Sequence, residues 1–168
     1  MEEIVNKVTE SGLITFNLED YYPTEAELYK IDLKDLLFQG LILREKDLRD
    51  WVKQFDADRV KGKYVWITCS ADAVIQTWAY MLIAQKLCTT AVKVILGNEV
   101  KIVEEIITHK ISQIDLSQFN DQRVVVKGCS KKQIPDSLFV YVANILTPMV
   151  KSLMFGEPCS TVPLYKKK

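Results

Sequence analysis

The sequence predicts an α/β fold, a small three-layer sandwich whose mainly parallel sheet is built from strand-helix alternation, with an irregular N-terminal extension. The first supporting observation is alternation: the β-branched runs Tyr64–Cys69, Val92–Leu96 and Arg123–Lys127 each precede a stretch with apolar residues at helical spacing. Such an order favours parallel strands with helices packed on the sheet faces. The second is that two of these strands run into the same dipeptide, Cys69-Ser70 and Cys129-Ser130. Both thiols therefore fall near strand ends, where the loops of a parallel sheet form the usual binding crevice. The third is size: 168 residues, 48% hydrophobic and 26% charged, suit one globular domain with a sizeable core.

In chain order, Ser11–Leu18 and Glu27–Leu33 read as strands separated by Pro23-Thr24. Asp35–Leu43 is apolar but broken at Gln39-Gly40, and Arg44–Phe55 reads as a helix burying Leu48, Trp51, Val52 and Phe55. Residues 1–62 are thus expected to cover or extend the sheet, 63–155 to form the strand-helix core and 156–168 a C-terminal tail, all within one domain. After the strand ending at Cys69, Asp72–Leu87 reads as a helix with Val74, Trp78, Met81 and Leu82 on its apolar stripe. Val100–Ile111 follows the second strand with Val103, Ile106, Ile107 and Ile111 aligned, and His109-Lys110 at its end suits the helix dipole. Pro135-Asp136-Ser137 starts a third helix, expected from Leu138 to Phe155 and closed by Gly156.

Charge removes one class of function. The 22 basic and 22 acidic side chains cancel, leaving no broad positive field for nucleic acid. Lys166-Lys167-Lys168 and Lys131-Lys132 are local excesses of the kind found on solvated ends. Met1–Lys7 lacks the basic and apolar regions of a secretory signal, and the apolar stretch Trp78–Ala84 stops at Gln85-Lys86. That is far short of the roughly 18 to 20 residues of a membrane span. A cytoplasmic protein without membrane contact is expected, its four cysteines reduced thiols or metal ligands rather than disulfides.

Cys69 is expected at a helix amino terminus opened by Ser70 and Asp72, where free amides and the dipole favour a thiolate; Ser70 and Asp72 equally read as simple caps. Cys129 is flanked by Gly128, Ser130, Lys131 and Lys132, a cationic setting of the same tendency. If the strand order is second, first, third, the strands ending in these thiols are neighbours and the crevice opens between them. An eighteen-residue helix after the third strand would carry Cys159 roughly 27 Å away, to the opposite edge. Cys88 reads as a core or capping residue. There is no Cys-x-x-Cys, the single His109 lies near a helix end, and no glycine-rich phosphate loop follows a strand. The arginine that a cysteine phosphatase needs six residues after its nucleophile is replaced by Ile75.

Four segments together resemble an uncharacterised bacterial family, domain of unknown function 2480: Leu37–Glu45, Cys69–Ala73 with Thr77–Met81, Lys127–Cys129, and Lys151–Lys166. The resemblance spans essentially the whole chain and implies no established activity. It implies company, since genes of this family tend to lie beside those of the sulfur-mobilisation system for iron-sulfur cluster assembly. On that footing the first expectation is an accessory protein of iron-sulfur or sulfur metabolism. Cys69, Cys129 and Cys159 would serve as cluster or zinc ligands or as sulfur carriers, supported by Ser70, Asp72 and Ser130, with iron-sulfur assembly proteins as partners. The alternative is a non-catalytic interaction module with structural cysteines, whose tail Val162-Pro163-Leu164-Tyr165 adds to a partner or to a second subunit in a homodimer. An enzyme using Asp72 as acid or base is a third reading, marked by Asp72 facing an open pocket instead of capping its helix.

Overall fold

The computed structural model of the protein describes residues 12–128 and 131–168. In chain order the elements are β1 (Leu13–Asn17), β2 (Leu28–Asp32), α1 (Glu45–Gln54), β3 (Tyr64–Thr68), α2 (Thr77–Leu87) and β4 (Lys93–Leu96). They continue with α3 (Glu99–Ser112), β5 (Arg123–Lys127), α4 (Asp136–Leu146), β6 (Ser152–Glu157) and β7 (Ser160–Lys166), with short 3-10 turns between. The class is mixed α/β with mainly parallel pairing, as the alternation predicts. The described strands divide between two sheets, ordered β2-β3-β4 and β1-β5-β6-β7. By contacts the chain forms two compact units, a central one (Pro23–Glu105) and a terminal one (Met1–Tyr22 with Ile106–Lys168).

In the central unit β2, β3 and β4 are all parallel, with Ile31 opposite Ile67 and Val65 opposite Val94. Ile31, Val65 and Ile67 join Leu48 and Val52 of α1 and Ala79, Ile83 and Leu87 of α2 in one buried cluster. The α2 stripe is thus spaced i, i+4, i+8, one face of a 3.6-residue helix. This differs from the expected stripe: Met81 is exposed and Val74 precedes the helix, which begins at Thr77 instead of Asp72. Two causes lie in the connecting loop. The Ser70 amide is held by Asp32 Oδ1 at 2.9 Å, and Ile75 packs against the core while Val74 turns outward.

In the terminal unit β5 lies between β1 and β6, parallel to both. Its Val124, Val125 and Val126 are all buried, the continuous apolar run of a strand covered on both faces. The β5-α4-β6 segment is a βαβ unit, with Leu138, Val142 and Leu146 of α4 buried. The helix expected to reach Phe155 stops at Leu146, with Thr147 still helical as its C-cap, because Pro148 has no amide hydrogen to carry the ladder further. The freed chain returns as β6 beside β5 and turns at Pro158-Cys159 into antiparallel β7. Gly156 permits that turn: its φ is +119°, and a Cβ there would lie 2.7 Å from the Ser160 carbonyl oxygen.

Candidate functional site

At the carboxyl edge of the central sheet β2 ends in Asp32 and β3 leads into Cys69. Asp32 Oδ1 accepts hydrogen bonds from the amides of Ser70 (2.9 Å) and Lys34 (3.2 Å), with Lys30 Nζ 3.7 Å from Oδ2. Partial desolvation pushes this carboxyl upward, but the Ser70 and Lys34 hydrogen bonds and the Lys30 charge prevail and hold it at about 2. Asp32 therefore works as an anchor for the loop that carries Cys69. The Cys69 thiol is half-buried against the core and donates to the Ala71 carbonyl at 3.7 Å. Burial, and secondarily the charge of Cys69, raise the Tyr80 hydroxyl above its ordinary 10.0, which puts Tyr80 in the same neighbourhood. Because α2 starts eight residues later, Cys69 has no helix amino terminus beside it, and the dipole argument for its activation falls.

Asp72 does not cap α2, whose N-cap is Gln76. It lines an open groove of about 270 Å³ with Leu41, Ile42, Leu43, Val74 and Trp78. One lip is a tight hairpin: the Leu41 amide donates to Phe38 O at 3.1 Å and the Phe38 amide to Ile42 O at 2.8 Å. Gln39 and Gly40 have φ of 51° and 72°, the two consecutive positive values of a type I′ turn. The apolar run broken at Gln39-Gly40 is thus a hairpin signal in the sequence, although the groove it builds with the residue 71–76 loop was not predicted. Trp78 Nε1 donates to Gln76 Oε1, both residues lining the groove. The volume is below the roughly 300 to 1,000 Å³ of sites that enclose drug-sized ligands.

In the terminal unit Cys159 occupies the exposed β6–β7 turn. Since β6 runs parallel to β5, this turn is at the same sheet edge where the chain leaves β5, and Lys127 Nζ meets Glu157 Oε2 at 3.1 Å. The expected long helix that would separate Cys159 from that edge does not exist. Beyond Gly128, Cys129 and Ser130 lie outside the described residues; the Lys131 and Lys132 amides that follow donate to Glu19 Oε1 at 2.7 and 3.1 Å. The conditional strand order fails, since β3 and β5 belong to different sheets and are not neighbours. Cys88 is the C-cap of α2, its thiol donating to Gln85 O at 3.4 Å. Among the described residues no three His, Cys, Asp or Glu side chains gather as a metal site, and no helix is long and apolar enough to cross a membrane.

These features define a mixed α/β protein with mainly parallel sheets, a small groove with apolar lips and an exposed terminal hairpin. The chain belongs to the family described as protein of unknown function, DUF2480, which matches residues 2–167. Comparison with curated proteins and with solved structures gave no match.

Proposed function

We propose that the chain is a non-catalytic interaction module of the cytoplasm. The observation that supports this best is β7, which among the described residues pairs only with β6 and leaves Val162 58% and Leu164 56% exposed. Apolar side chains on a strand with an open edge add little to the chain's own core; clustered on a surface, they mark contact with another molecule. A photo-cross-linking residue at position 162, introduced in cells, tests the reading. Protein adducts are expected there and not from the same group at exposed polar Gln113. Equal yields at both positions would sink it.

A second reading keeps the thiols: an accessory of iron-sulfur or sulfur metabolism in which Cys69, Cys129 and Cys159 bind a cluster or zinc or carry sulfur, handing it to assembly proteins. It is favoured by one observation, the parallel return of β6 that brings the Cys159 turn to the edge from which β5 leads toward Cys129. Metal and acid-labile sulfide are measured on protein purified without oxygen, with each of the three cysteines changed to serine. Stoichiometric content lost in folded variants supports this reading. Absence of metal together with absence of persulfide on any thiol removes it.

A further inference from the structure

We infer that the groove beside Asp72 docks a second copy of this chain, which inserts the Val162–Lys166 end of β7. The inference rests on the interaction-module reading and names its partner. The groove is mixed in character, with apolar side chains on both lips: Leu41 and Ile42 are 65% and 61% exposed on a hydrogen-bonded hairpin, and Val74 on the other lip is 92% exposed. Its volume of about 270 Å³ suits one or two aliphatic side chains. The chain itself displays such side chains in Val162 and Leu164.

Two features of β7 fit docking by side chains over extension of a sheet. Pro163 lacks an amide hydrogen, so the open edge cannot donate a complete ladder to a new strand. The register shift opposite Leu153/Met154 leaves Leu164 without a partner on β6. Charge fixes the direction of insertion. Asp72 in the groove and Lys166 at the end of β7 are exposed, and neither has an opposite charge within ion-pair distance among the described residues, Lys167 being held by Asp121 at 2.8 Å. Apolar contact flanked by one complementary charge pair gives the recognition both attraction and register.

The test is sedimentation equilibrium of the full chain across the micromolar range, with Val74→Glu as the groove variant and Val162→Glu as the tail variant. Wild type is expected to self-associate; each variant alone is expected to remain monomeric with unchanged circular dichroism and melting temperature. Mixing the two variants is expected to restore association, because an intact tail then meets an intact groove. Asp72→Lys is expected to weaken association at least tenfold, and combining it with Lys166→Glu to recover it. A wild type that stays monomeric, a mixture that does not recover, or a neutral Asp72→Lys overturns the inference. Adducts from position 162 to a different protein alongside a monomeric wild type would overturn it too, while leaving the interaction-module reading standing.

Discussion

β5 and β7 belong to one sheet, two places apart, and both are rich in apolar residues, yet they have opposite fates. Val124, Val125 and Val126 of β5 are 0%, 0% and 4% exposed, whereas Val162 and Leu164 of β7 remain more than half exposed. Composition does not separate the two strands; position does. A strand flanked by parallel neighbours has both ladders filled and both faces covered, while the outer strand of a hairpin has one ladder and thin cover. β7 carries the devices that guard such an edge, Pro163, Lys166 and a register shift, and keeps its apolar side chains nonetheless. Strand edges guarded against indiscriminate pairing but retaining exposed aliphatic groups are suited to selective contact.

The same substitution in the two strands gives the largest expected difference. Val125→Glu puts a carboxylate where the side chain has no access to water, at a cost above about 4 kcal/mol, so the terminal unit should lose its cooperative unfolding transition. Val162→Glu should change stability by no more than about 0.5 kcal/mol. Thermal melts of the two variants decide the matter, and similar losses would break the comparison. A middle-sized effect is expected for Gly156→Ala. The residue has φ of +119° and a Cβ would meet Ser160 O at 2.7 Å, so strain of about 1 to 3 kcal/mol falls on the hairpin. Amide exchange should accelerate in β7 with β5 still protected; matched acceleration in both strands would show that the hairpin is no separate element.

The strands that build the two sheets were largely legible. β5 was read at its actual bounds, and β1, β2 and β3 within about two residues at either end, because β-branched runs bounded by turn residues are local signals. What was not legible is partnership: nothing local in Tyr64–Thr68 and Arg123–Lys127 says that they enter different sheets, since pairing is decided by contacts distant in sequence. Two errors had visible causes. The helix expected from Leu138 to Phe155 runs past Pro148, which is a stop signal, and its last residues are the strand β6. Asp72 resembled a helix cap, yet Val74-Ile75 after it are β-branched and start the helix poorly, leaving a loop in which Asp72 faces the groove. Of the expected site residues, Cys69 with Ser70 and Cys159 lie at the edges of different sheets; the groove, now the better candidate, was hidden because its two lips are thirty residues apart.

The smallest expected effect concerns the end of β7. Lys167 donates its backbone amide to Lys151 O at 2.9 Å, and its ammonium meets Asp121 Oδ1 at 2.8 Å, a tie that β5 does not need. The hydrogen bond from Lys167, and then its charge, lower the Asp121 carboxyl below its ordinary 3.8. A carboxyl depressed in the folded state contributes stability that is complete above its unfolded value and is lost as pH falls through its folded value. The pair is exposed, so the contribution is small and screened by salt. Protection of the Lys167 amide, its exchange corrected for the intrinsic rate at each pH, should therefore fall modestly below about pH 4 and at high salt, relative to Val125, and Asp121→Asn should show that lower protection already at neutral pH with no further acid dependence. If Val125 protection falls in step with Lys167 across this acid range, acid is opening the whole sheet, and the edge strand is no looser than the strand it was contrasted with.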